Sequence, residues 1–177
     1  MQFFPKSRRF WIHFILLTLS AIVANNSYAC DDTTYLSEIR KEIIGIGKSI
    51  LDENNYFRLS LYTLGKAKPH AERISSISAR CANNTSSYSS AQKMRQIKTH
   101  ADDFILHSEE FKATFDYTTN SIKSQANKLD NNSGLLDFLG AVGGILAAKG
   151  VSTTYFERVE GALRDDYHGL VRNFNSF

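Results

Sequence analysis

The chain predicts an all-α protein, a helical bundle with one long central helix of about 40 residues. Three observations carry this. Apolar residues recur at spacings of three and four along most of the chain, and no stretch alternates apolar and polar residues between hairpin turns. The periodic segments are separated by short runs of Asn, Asp, Ser, Thr and Gly, which is turn composition.

The first 29 of the 177 residues read as a cleaved signal peptide. Lys6, Arg8 and Arg9 form a basic start, residues 14–24 an apolar run, and Ser27-Tyr28-Ala29 a small-residue cleavage site. The apolar run is shorter than the ~20 residues that a spanning helix needs. Ser7-Arg8-Arg9-Phe10 loosely resembles a twin-arginine signal, but the greasy run after it suits the general secretory route better. The expected location is therefore periplasmic or secreted. Cys30, directly after Ala29, keeps an outer-envelope lipoprotein as the minority alternative.

Residues 30–177 then form one domain. Three of the 21 basic residues leave with the signal and no acid does, so 18 bases face 18 acids. The basic character of the whole chain belongs to the targeting segment, and nucleic acid is excluded as an expected partner.

In the mature part, Leu36, Ile39, Ile43, Ile46 and Ile50 make one helical seam, with Asp31, Asp32, Thr33 and Thr34 as candidate caps. Phe57, Leu61 and Leu64 continue it beyond the polar interruption at residues 52–55, and Gly65 with Pro69 predicts its stop. A short helix over 69–82 follows, with Ile74 and Ile77 inward, then a turn at 83–87. The long helix is expected over 89–129. Met94, Ile97, Ala101, Phe104, Ser108, Phe111, Phe115, Thr118, Ile122, Gln125 and Leu129 form its unbroken seam. Small and polar residues in that seam favour a bundle helix over a parallel coiled-coil dimer. A final helix over 154–173 carries Phe156, Val159, Leu163, Tyr167 and Leu170.

Between these last two lies a short apolar, glycine-rich helix at 135–148. It contains Leu135, Leu136, Phe138, Leu139, Gly140, Gly144, Ile145, Leu146 and Ala148, with Asp137 as its one charge. Gly140, Gly144 and Ala148 fall on one face and would admit a close backbone neighbour. Buried inside the bundle, the segment is a core helix; exposed, it would enter a membrane or a partner's groove. Fourteen residues reach only ~21 Å, too short to span a bilayer, so the buried reading is expected.

The two cysteines, Cys30 and Cys81, are expected to pair in an oxidising compartment. A straight helix over 35–66 would hold them far beyond the ~7 Å limit between bridged α-carbons, so the bridge requires a break at residues 52–55.

For chemistry, His100, Asp103, His107 and Glu110 share one stripe beside the long seam, all of them metal-ligand types. His100 and His107 stand ~10.5 Å apart along the axis, so each His with the acid three residues on makes half a site that another helix must complete. His168 with Asp165 and Asp166 is a weaker candidate. A solvated flank with imidazoles and carboxylates paired along the surface is the expected role, and neither a metal nor another cofactor is expected. No framed serine, Cys-His pair or carboxylate cluster points to hydrolase chemistry. Asn83-Asn84-Thr85 and Asn131-Asn132-Ser133 match glycosylation acceptors, relevant only to a eukaryotic secretory route.

These readings point to an exported, non-enzymatic bundle that binds a protein partner, in a toxin-neutralising, adaptor or secretion-accessory role. Tyr56, Tyr62, Tyr88, Tyr117 and Tyr155 are its candidate contact residues. The alternative is a membrane-active protein that inserts 135–148 into a bilayer. Oligomeric state is left open.

Overall fold

The computed structural model describes residues 33–131 and 135–177, and their side chains except at 33, 126, 128–131 and 135–152. Among the described residues four helices follow in order: α1 (Thr33–Ile50), α2 (Leu61–Asn84), α3 (Tyr88–Asn131) and α4 (Leu135–Asn175). Each packs on the next, and α1 closes onto α4. Among the described residues there is no strand, only an isolated antiparallel bridge between Leu51 and Phe57. The signal segment, the caps at Asp31 and Asp32, and Cys30 lie outside the described residues.

The periodic apolar positions become the core. Ile39, Ile43, Ile46 and Ile50 of α1 meet Leu64, Ile74 and Ile77 of α2, Met94, Ile97 and Phe104 of α3, and Val159, Leu163 and Leu170 of α4, all buried. Each such side chain contributes about 1.5–3 kcal/mol on leaving water.

The expected break at 52–55 is present. Helix α1 ends at Ile50, and the Asp52 carboxylate accepts backbone N–H bonds from Asn54 and Tyr56, both at 2.9 Å. Asn55 takes the left-handed conformation, φ 62°, which Asn tolerates because its short polar side chain bonds locally. The turn carries Phe57 back over α4, edge-on to Tyr167 and His168 at 6.0 and 5.6 Å. Ser60 then starts α2 in a capping box: Thr63 N–H donates to Ser60 Oγ and Ser60 N–H to Thr63 Oγ1.

Two expected boundaries are corrected. Gly65 and Pro69 do not stop a helix; both lie inside α2. An interior proline costs about 3 kcal/mol, but Leu64 and Ala67 before it and Ala71 and Ile74 after it are all buried, so core packing holds both halves in line. Nor do the glycine-rich segment and the last helix stand apart, since α4 runs unbroken from Leu135 to Asn175. Glycine weakens a helix by about 1 kcal/mol without forbidding it, and no proline intervenes. The side chains of 135–148 lie outside the described set.

Helix α3 is 44 residues long, about 66 Å, against 18 for α1 and 24 for α2. Its seam is buried through Met94, Ile97, Ala101, Phe104 and Ser108, whereas Phe115 and Ile122 are exposed. Lys68 pairs with Glu109, near the level at which α2 begins. Beyond that level, among the described residues, only α4 accompanies α3. The described residues thus form a four-helix body from which α3 and α4 continue as a two-helix arm.

Asn55 tests the turn. Asn55→Val, a β-branched residue in the left-handed region, should lower unfolding stability by about 1–2 kcal/mol in urea titration. Asn55→Gly should leave it within a few tenths.

Candidate metal centre

Helices α3 and α4 run antiparallel, with Glu110 on Arg158 at 2.7 Å, Phe111 against Phe156 at 4.9 Å, and Lys93 on the carbonyl of Ser176. This register turns the stripe of His100, Asp103, His107 and Glu110 toward α4 rather than to solvent. The stripe is half-buried, and its pairing runs across to α4, not along α3 as expected.

The centre of this seam is Asp166, 6 % exposed. His107 Nδ1–H donates to its Oδ2 at 2.7 Å. Burial pushes the Asp166 carboxyl above its ordinary value; the His107 hydrogen bond and charge oppose this, the nearby Asp103 charge adds to it, and His100 lowers it again. His100, Asp103 and Asp166 each offer a ligand atom within 4.8 Å of the other two. His100 Nδ1 is buried and has no hydrogen-bond partner among the described residues.

Gly169, one turn beyond Asp166, makes the close approach of His100 possible. A Cβ there would stand 2.5 Å from ring carbon Cε1 of His100 and 2.6 Å from both ring nitrogens. The same device recurs on the other side of the body. Glu42 bonds Nδ1 of His70, Arg73 sits 3.4 Å from its other oxygen, and a Cβ on Gly45 would stand 2.5 Å from the His70 ring. In each case a histidine of the neighbouring helix sits on the glycine three residues beyond an acid; the same His70 is bonded by Glu42, whereas Asp166 is bonded by His107 and Gly169 seats His100.

Burial alone would raise the Glu42 carboxyl, but the His70 and Arg73 hydrogen bonds and charges more than offset it and hold it below the usual range. Glu42 is thus engaged within the α1–α2 pair and does not complete the α3 stripe. His168 is exposed and packs on Phe57 and Tyr167, while Asp165 is exposed. Of that weaker candidate set, only Asp166 joins the cluster. Sequence reading named His100 and Asp103 as half a site; which acid completes it depends on the α3–α4 register.

Gly169→Ala and Gly161→Ala separate the close approach from helix propensity. Gly161 has nothing within 4 Å of a would-be Cβ, so Gly161→Ala should stabilise by about 0.5–1 kcal/mol. Gly169→Ala must displace the His100 ring and should destabilise by about 1–3 kcal/mol. Thermal melts read both. A depressed Glu42 gives stability that is present above the unfolded carboxyl value, about pH 4.3, and is lost as pH falls through the folded value. Between about pH 5 and pH 3 the urea midpoint of the wild type should therefore drop more steeply than that of Glu42→Gln.

No protein-family model matches the chain, and comparison with curated proteins and with solved structures finds no match either.

Proposed function

We propose that this is an exported, non-enzymatic helical-bundle protein that works by binding a protein partner in the cell envelope or outside the cell, in a toxin-neutralising, adaptor or secretion-accessory role. One observation carries the reading: large aromatic and apolar side chains stand exposed at the end of the body from which the arm departs. Tyr56 and Tyr62 are 68 % and 70 % exposed, and Phe115, Tyr117 and Ile122 on α3 and Tyr155 on α4 are exposed as well. Rigid aromatics supply contact area at low entropic cost. Tyr88, equally exposed, lies at the opposite end of α3.

Export is part of the proposal, and so is a bridge between Cys30 and Cys81. Glu42 against His70 and Arg73 sets α1 antiparallel to α2. That register runs Thr33 toward the end of α2, where Cys81 is buried, and Thr33 is three residues from Cys30. The break after Ile50 is what such a bridge requires.

The alternative, insertion of 135–148 into a bilayer, draws on the apolar composition of that segment. No helix among the described residues is long and apolar enough to cross a membrane.

A photo-crosslinking residue at Tyr117, with Tyr88 as control, tests the proposal in the native envelope. A discrete protein adduct at 117 and none at 88 is expected. Lipid adducts at 117, together with liposome flotation of the purified protein, would overturn it in favour of the membrane reading.

A further inference from the structure

We propose that His100, Asp103 and Asp166 form a binding site for a divalent transition ion of the zinc class, which ties α3 to α4. Three donors from two helices converge, their ligand atoms within 4.8 Å of one another. Donors ~2.1 Å from a shared ion stand roughly 3–4 Å apart, so small carboxylate rotations close the set.

Two of the three donors are held by contacts that packing alone does not demand. His100 is seated against the α4 backbone by Gly169, where any side chain would collide with the ring. Its Nδ1 is buried without a partner among the described residues, a costly state for an imidazole unless a ligand or ion is nearby. Asp166 is buried and oriented by His107, whose Nδ1–H donates to it at 2.7 Å. A histidine hydrogen-bonded to a ligating carboxylate is an outer-shell arrangement that fixes a metal ligand. Two carboxylates placed together in a half-buried seam repel each other, and a divalent cation relieves that repulsion.

The donor set selects the ion. An imidazole nitrogen with two carboxylates suits zinc and its first-row neighbours, whereas calcium and magnesium favour all-oxygen shells with more ligands or waters. Three protein donors leave at least one position for water. His107 is a positioning residue here, and Glu110, engaged by Arg158 at 2.7 Å, stands outside the set.

The test uses untagged protein purified as exported, stripped with chelator and titrated with Zn²⁺ alone against a competing chromophoric chelator. One equivalent should bind and raise the melting temperature. Co²⁺ in its place should give the visible absorption of a nitrogen- and oxygen-ligated site. His100→Gln and Asp103→Asn should each abolish stoichiometric binding while far-ultraviolet circular dichroism shows the helices intact. His107→Gln should weaken binding about 10–100-fold, and Glu110→Gln should leave it unchanged. Wild-type protein that takes up no zinc in competition overturns the proposal, as does stoichiometric binding that survives in folded His100→Gln or Asp103→Asn.

Discussion

A helix of 44 residues laid against one of 24, itself paired with one of 18, is covered on that side over only part of its length, and the rest of the architecture follows from that mismatch. Where α1 and α2 reach, α3 buries Met94, Ile97, Ala101, Phe104 and Ser108. Where they stop, the same periodic seam continues with Phe115 and Ile122 in contact with water. Only α4, at 41 residues, is long enough to accompany α3 along the arm. The body and the arm are thus products of helix length, and the turn at 52–55 sets where one gives way to the other by ending α1 at Ile50 and starting α2 at Leu61.

Inside the body, three glycines each lie directly against a polar ring of a neighbouring helix. His70 over Gly45, His100 over Gly169 and Tyr167 over Gly47 are three such contacts, the last with a would-be Cβ 2.5 Å from the Tyr167 hydroxyl. Each brings a polar ring into a position an aliphatic core residue could have filled. Burying such groups is tolerable only if their polar atoms find partners. Glu42 gives Nδ1 of His70 a partner, whereas the cluster at Asp166 leaves His100 Nδ1 without one among the described residues. The two halves of the body share a device but differ in how completely it is satisfied.

Much of this was legible in the residues. The isoleucine ladder of α1, the inward positions of α2 and α4, the span of α3 and the turn at 52–55 all follow from period and turn composition, which are local properties. The five tyrosines marked for contact are all exposed. Pro69 misled because local propensity argues against it, while buried Leu64, Ala67, Ala71 and Ile74 outweigh that preference from both sides. The continuity of α4 through Gly150 was missed for the same reason: glycine weakens a helix, and composition alone does not say whether it breaks. The His100 stripe was seen, but not what it faces, because the period of one helix carries no information about its neighbour. A signal did exist in the acid-to-glycine spacing of three that Glu42–Gly45 and Asp166–Gly169 share. It acquires meaning only when a histidine is found opposite each.

The order in which the helices pack also bears on how the chain reaches this state. Successive neighbours pair, α1 with α2, α2 with α3 and α3 with α4, and the contact of α1 with α4 alone joins elements remote in sequence. Such a topology has low contact order, and helical domains of that kind fold in microseconds to milliseconds. A chain emerging amino-terminus first can therefore close each hairpin as soon as its second helix is free. Gly47 meets Tyr167 and Phe57 meets His168 only once the last turns of α4 are available. Until then the ladder of Ile39, Ile43, Ile46 and Ile50 is open on one side, so the interval in which the nascent chain invites aggregation is set by the emergence of its final twenty or so residues.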